Sequence, residues 1–403
     1  MVEKVIQLKA YCNEYPWGKQ GSHSLAARLA SKTPGTDFKI DENKPYAEMW
    51  FGTYPELPAY VLSTGGKLQD FIDKHPDELV GQSVLQKFGK DLPYLPKILS
   101  IAKALPLQLH PNKNLASKLH ARDPSNFTDP NHKPEIAIAL TDFEAFCGFK
   151  PLAEIEQLMK LDPLKHFLPS QMSKFDDQAL KHVAKAMLEA SEKEVKQVEE
   201  GLSELPTSAF GKHTNIPELL PRLQGQYGDT DPGSLVALIT MNFLTLKPGE
   251  ALHIPADGIH AYLAGDIVEC MARSNNVLNT GFCPRADRNN IDTFVSCLTF
   301  TPHDAGEALL PTKSYKDGKH TQVYAPAMSE FNMLRTELPS GQTEALAPIG
   351  GPSVLICLSG SGELRVEGKR HELKEGYIYF VGQGTGIEFS AKEDLQVYTT
   401  YVD

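Results

Sequence analysis

A mainly β fold interrupted by one helical insert is what this sequence predicts, and three observations predict it. Short apolar runs separated by Pro and Gly fill residues 1–150. A stretch rich in Leu, Ala, Glu and Lys, with apolar residues at helical spacing, follows over 151–228. Short β segments then return from residue 229 to the end. At 403 residues the chain exceeds what one core holds. Residues 1–150 and 229–315 therefore read as two halves of one β domain, 151–228 as the insert, and 316–403 as a separate small antiparallel barrel or sandwich.

In the first half, the runs from Pro58 to Leu62 and Ile136 to Leu140 read as strands, and Lys67 to Lys74 and Leu115 to Arg122 as short helices. In the insert, Leu180, Val183, Ala184, Met187 and Leu188 mark one helix face. Ser191 with Glu194 three residues later forms a capping box ahead of Val195, Val198 and Leu202. Asn215 reads as the cap of another helix, with Pro217 in its first turn. After Asp231-Pro232-Gly233 the run from Leu235 to Leu246 reads as β, followed by a Pro248-Gly249 turn and the segments LHIP, IHAYL and DIVECMA. A looser charged stretch from Pro302 to Gln322 precedes VLICL, GELRV, YIYFV and GIEFS, which alternate with Gly-rich turns.

Net charge is -11 and the pI is near 5.7, so the long-range field repels nucleic acid and anionic lipid. A phosphorylated substrate then needs a local cluster of cations. Six scattered cysteines without CxxC spacing predict free thiols in a reducing compartment. The N-terminus lacks the basic and apolar regions of a signal peptide, and the longest apolar run contains Thr240, Asn242 and Thr245 and is too short for a bilayer. A cytoplasmic protein without a membrane partner is expected.

Gln108 and His110 stand two apart, so on a strand both face one way. Alone they read as a hydrogen-bonded pair on a sheet surface. Asn131-His132-Lys133-Pro134-Glu135 brings three chemically active side chains together, although Lys133 with Glu135 alone reads as a surface ion pair worth roughly 0–1 kcal/mol. His260 and Tyr262 again share a face, while His253 reads as a core histidine. Combined, Gln108, His110, Glu135 and His260 offer two imidazoles, one carboxylate and one amide oxygen, a set suited to Zn²⁺, Mn²⁺ or Fe²⁺. One negative charge leaves a dication strongly Lewis acidic, which favours a catalytic site.

With these residues go YPWGKQGS at Tyr15, YAEMWFGTYP at Glu48, LPKILSIAKALPLQLHPNK around Gln108, NHKPE at Glu135 and IHAYLAGDIVECMA at His260. In these motifs and their order the chain resembles, nearly end to end, the type I zinc-dependent mannose-6-phosphate isomerases, or phosphomannose isomerases. The resemblance implies cupin-type β-barrels (double-stranded β-helices), the first holding one zinc on Gln108, His110, Glu135 and His260, the second, after the insert, without metal. It implies interconversion of mannose 6-phosphate and fructose 6-phosphate through an enediol, in carbohydrate metabolism leading to GDP-mannose, by a monomer. It places Lys133 and His132 near the reacting carbons and ring oxygen, Lys97 towards the substrate, and Tyr262 and Glu269 at sugar hydroxyls. Trp17 and Glu48 become pocket walls or supports. Read without it, Lys97 and Lys133 are surface charges, Tyr262 is core and Glu269 an internal ion-pair partner.

The chain departs from the family pattern where SDN, VVRAG and TPK become Ser274-Asn275-Asn276, Val277-Leu278-Asn279-Thr280-Gly281 and Cys283-Pro284-Arg285. Where the resemblance implies an acidic residue and an arginine, Asn275 and Asn279 carry no charge, so either activity is reduced or another cation substitutes for the arginine, with Arg285 first and Arg273 and Arg288 after it. This departure favours, as a rival, a zinc-containing sugar-phosphate-binding paralogue with reduced or no turnover. An Fe²⁺ cupin oxygenase is a third reading, which Gln108 and the lysines oppose.

Overall fold

The computed structural model describes residues 2–327 and 330–403. Its longest strand, His260–Ala272, organises the first sheet. The first half of that strand pairs with Phe143–Phe149, and at Gln108 with Leu107–Leu109. The second half runs between Tyr94–Ile101 and Glu135–Ala139. All these pairings are antiparallel. The change of partners falls at Gly265, whose φ of +123° is open to glycine, and where a Cβ would stand 2.6 Å from the Asp142 carbonyl oxygen.

Period-2 alternation sorts the side chains of this sheet between two cores. Leu99, Ala137, Ala139 and Ile267 face an inner cluster with Phe143, Leu252, Ile254 and Tyr262. Ile98, Ile136, Ile138, Val268 and Cys270 face outward into a cluster shared with Met333, Val354, Ile356, Phe380 and Tyr398 from the C-terminal strands. Each such fully buried aliphatic or aromatic side chain contributes about 1.5–3 kcal/mol, so the two β systems are joined by apolar burial. The helical insert packs on the far side, its Leu180, Val183, Met187, Val195, Val198 and Leu202 meeting Leu107, Leu109, Phe146 and Leu278.

The last block contributes to an eight-stranded sheet and a four-stranded one. Here the structure differs from the sequence boundaries: Val5–Lys9 pairs with Ile378–Val381 and with Tyr60–Val61, so the N-terminal strand lies in the C-terminal sheet. The looser stretch also holds strands Thr312–Ser314 and Thr321–Tyr324, which extend that sheet.

The helix at Ser191 forms, with Ser191 Oγ accepting from the Glu194 N–H, but the Glu194 carboxylate meets His166 Nε2 at 3.1 Å, so only half of the expected capping box is made. The helix at Asn215 begins one residue off, with Thr214 at its cap position. The run from Leu235 does not start as a strand: Pro232–Leu235 and Val236–Thr240 are helical, and the strand is Met241–Leu246. Asp231 caps this helix through the Gly233 N–H, and every residue from Pro232 to Thr240 is buried. An all-apolar segment has no period by which to tell helix from strand. All six cysteines are free. Among the described residues no helix is long and apolar enough to cross a membrane.

Candidate metal centre and substrate pocket

Strand register brings the distant motifs together. His260 stands opposite both Gln108 and Cys147, and Gln108 stands opposite Asn279 on its other side. Directly opposed residues share a sheet face, so Gln108 is aligned with His260. Glu135 opens the next strand, on the inner face that Ala137 and Ala139 continue. His110 lies just past Leu107–Leu109, with its ring centroid 5.2 Å from that of His260.

The two imidazoles are oriented by backbone carbonyls. His110 Nδ1 is 2.8 Å from the Asn276 oxygen and His260 Nδ1 is 3.0 Å from the Gly258 oxygen. A carbonyl only accepts, so each Nδ1 carries the proton and each Nε2 keeps its lone pair. Both Nε2 atoms are buried without a hydrogen-bond partner, and they lie 3.2 and 3.6 Å from the Glu135 carboxylate. Burial lowers the pKa of both rings, His260 to about 4. These contacts are therefore not ion pairs near neutrality. Desolvation alone would raise Glu135, but His110 and Lys133 outweigh it and carry that carboxyl well below its ordinary range. Ligand atoms of His110, Glu135 and His260 all lie within 4.8 Å of one another. Two buried, partnerless neutral nitrogen lone pairs converging on a buried carboxylate fit one divalent metal ion.

Asn276 is itself held by Nδ2 hydrogen bonds to the carbonyls of Asp129 and Asn131. Asp129 also accepts from Ser274 Oγ and the Asn275 N–H. The polar segment Ser274–Asn276 thus braces the carbonyl that fixes the His110 tautomer.

Several of the other expected residues contact Glu135 or one another. Tyr262 donates to Glu135 Oε2 at 3.1 Å, and Lys133 Nζ is 3.5 Å from Glu135 Oε1. Lys97 Nζ is 3.5 Å from Glu48 and 3.2 Å from Glu269, almost fully buried, and stands over the Trp50 ring. Desolvation opposes its charge, but the two carboxylates raise its pKa. Trp50 Nε1 donates to Glu48 Oε2. Trp17 is half-buried, stacks on Tyr15 and packs against the inner cluster. His132 Nε2 meets Glu330 Oε1 at 2.7 Å. His253 faces outward opposite Ile136, away from the ligands.

The three candidate arginines separate. Arg285 sits on the surface, ion-paired to Glu192 of the insert, because the turn Arg285–Asp287 directs it away from the sheet. Arg288 is bound by Asp231 and the Cys283 carbonyl. Arg273 stacks over Tyr54 and lines a cavity of about 480 Å³ that also holds His132, Asn275 and Glu330. Trp50 and Glu330 were not singled out from the sequence. Trp50 shares a strand face with Glu48, which is a readable signal, whereas Glu330 has none.

The pattern of the phosphomannose isomerase type I catalytic domain matches residues 5–152. The mannose-6-phosphate isomerase of Cryptococcus neoformans is 38% identical over 441 residues, covering 100% of both chains. That of Aspergillus fumigatus is 36% identical, over 99% of this chain and 96% of its own. The chain belongs to the mannose-6-phosphate isomerase family. The fold agrees: a crystal structure of mannose 6-phosphate isomerase bound with zinc and yttrium superimposes with a TM-score of 0.83 at 25% identity, covering 100% of both chains. The apo form from Salmonella typhimurium gives the same score and identity. Within this isomerase family, the present chain has the buried His110, Glu135 and His260 cluster, with asparagines at 275 and 279.

Proposed function

We propose that the chain is a zinc-dependent aldose-ketose isomerase that interconverts mannose 6-phosphate and fructose 6-phosphate by moving a proton between C1 and C2 through an enediol. The observation that carries it is the convergence of partnerless His110 and His260 Nε2 atoms on Glu135 in a chain related over its full length to mannose-6-phosphate isomerases. Gln108, aligned with His260, is the fourth ligand in this reading. Zinc bound there supplies a Lewis acid that stabilises negative charge developing on the sugar oxygens.

The chain's own groups do the rest. Lys133 and His132 flank the reacting carbons and the ring oxygen, where positioned proton carriers contribute about 10²–10⁴-fold. Lys97 is held charged towards the substrate by Glu48 and Glu269. Tyr262 and Glu269 offer oxygens to the sugar hydroxyls, and Trp17 walls the pocket. Arg273, in the cavity beside His132, replaces Arg285 as the cation for the position that Asn279 leaves neutral.

We also assign the two β systems to cupin-type barrels, the metal on the first alone, with 151–228 as insert and the C-terminal barrel completed by Val5–Lys9. The net charge of -11 suits a cytoplasmic monomer without nucleic-acid or membrane partners. A coupled assay with mannose 6-phosphate tests the function: turnover to fructose 6-phosphate is expected. Sugar-phosphate binding without turnover would instead support the binding-paralogue reading that Asn275 and Asn279 suggest.

A further inference from the structure

We propose that Glu330, from the segment leading into the Asn332–Leu338 strand of the C-terminal sheet, is a positioning residue for His132 that reaches it from the opposite half of the chain. The inference rests on the isomerase reading above, in which His132 carries a proton for the sugar.

The two residues are 198 positions apart, yet His132 Nε2 stands 2.7 Å from Glu330 Oε1. Their side chains are only 14% and 17% exposed. A carboxylate accepting from Nε2–H fixes that tautomer and leaves Nδ1 as the nitrogen that can take a proton. The other carboxylate oxygen, Oε2, is buried and has no hydrogen-bond partner among the described residues. Both residues line the cavity of about 480 Å³ that holds Arg273 and Asn275.

A simple tether between the two halves would be the plainer role for this pair. Two observations argue against it. The backbone at Asn131 is already held from within the catalytic half, by Ser274 Oγ at 3.1 Å and Asn276 Nδ2 at 2.8 Å. The extensive apolar cluster between the two halves already joins them, and a partly exposed ion pair adds at most about 1 kcal/mol. What Glu330 adds is orientation of an imidazole one residue from Lys133 and three from Glu135. In ring opening, O1 loses its proton and its freed electron pair forms the C1=O1 double bond, the C1–O5 bond breaks with its electron pair going to O5, and O5 gains a proton. An imidazole with one fixed tautomer can pass that proton from O1 to O5 with no other reactant.

The test compares wild type, Glu330→Gln, His132→Ala and the double variant, each with zinc content and melting temperature measured. Glu330→Gln is expected to lower kcat by about tenfold or more, with KM changed less than about twofold and with melting temperature and zinc content kept. On the His132→Ala background it is expected to change kcat no further. The proposal is overturned if Glu330→Gln leaves kcat intact, if its effect persists in full without His132, or if His132→Ala retains wild-type kcat. A wild type with no isomerisation would overturn the functional reading itself.

Discussion

Glu269 is a carboxyl enclosed on strand His260–Ala272, beside Lys97 and on the same sheet face. Burial, against the pull of Lys97 and helped by Glu135 and Glu48, raises it to about 7. The unfolded carboxyl titrates near about 4.3. Between these values the folded chain binds more protons than the unfolded one, so this group's stabilisation is full below about 4.3 and is lost as pH rises through about 7. Melting curves of zinc-free protein at pH 5 and pH 8 are expected to show wild type losing more stability over that interval than Glu269→Gln. Equal losses would show that Glu269 is not raised. Of the four expected ligands, His110, Glu135 and His260 do converge; residues two apart on a strand face one way, which made Gln108 with His110 and His260 with Tyr262 readable as pairs. Arg285 was ranked first by position alone, and position along a turn does not tell which way a long side chain points.

At the scale of elements, the site depends on the bend in the long strand. Gly265 lets the first half of that strand carry His260 beside Gln108 while the second half runs along Glu135–Ala139. Gly265→Ala places a Cβ 2.6 Å from the Asp142 oxygen at a φ of +123°. It is expected to cost about 1–3 kcal/mol of stability and to weaken zinc binding, read by thermal unfolding and a zinc competition titration. An unchanged variant would show that the bend does not set the ligand geometry. Elements with a period or a cap were readable, such as the Ser191 helix. The buried turn Val236–Thr240 was not, because each of its faces is apolar or otherwise enclosed. Thr240 Oγ1 bonding back to the Val236 carbonyl is a contact that the residue types alone do not distinguish from a strand.

At the scale of the whole molecule, the order of β segment, helical insert and returning β segment was visible in composition. The joining of the two ends was not. Pairing of Val5–Lys9 with Ile378–Val381, or of His132 with Glu330, links segments hundreds of residues apart, and such partners leave no mark on either segment. The acidic chain encloses Lys97 between Glu48 and Glu269, keeps Lys133 beside Glu135 and lays Arg273 over Tyr54, where we propose that they serve an anionic sugar phosphate, while Arg285 pairs with Glu192 on the outside. We propose that catalysis rests on one metal gripped by His110, Glu135 and His260 with Gln108. The most direct measurement is zinc titration of chelator-stripped protein while isomerase activity is followed. One zinc per chain is expected, with activity absent at the start and rising in proportion to occupancy, and with neither seen in His260→Ala. Full activity in stripped, metal-free protein, or stoichiometric zinc binding that survives His260→Ala, would contradict the account.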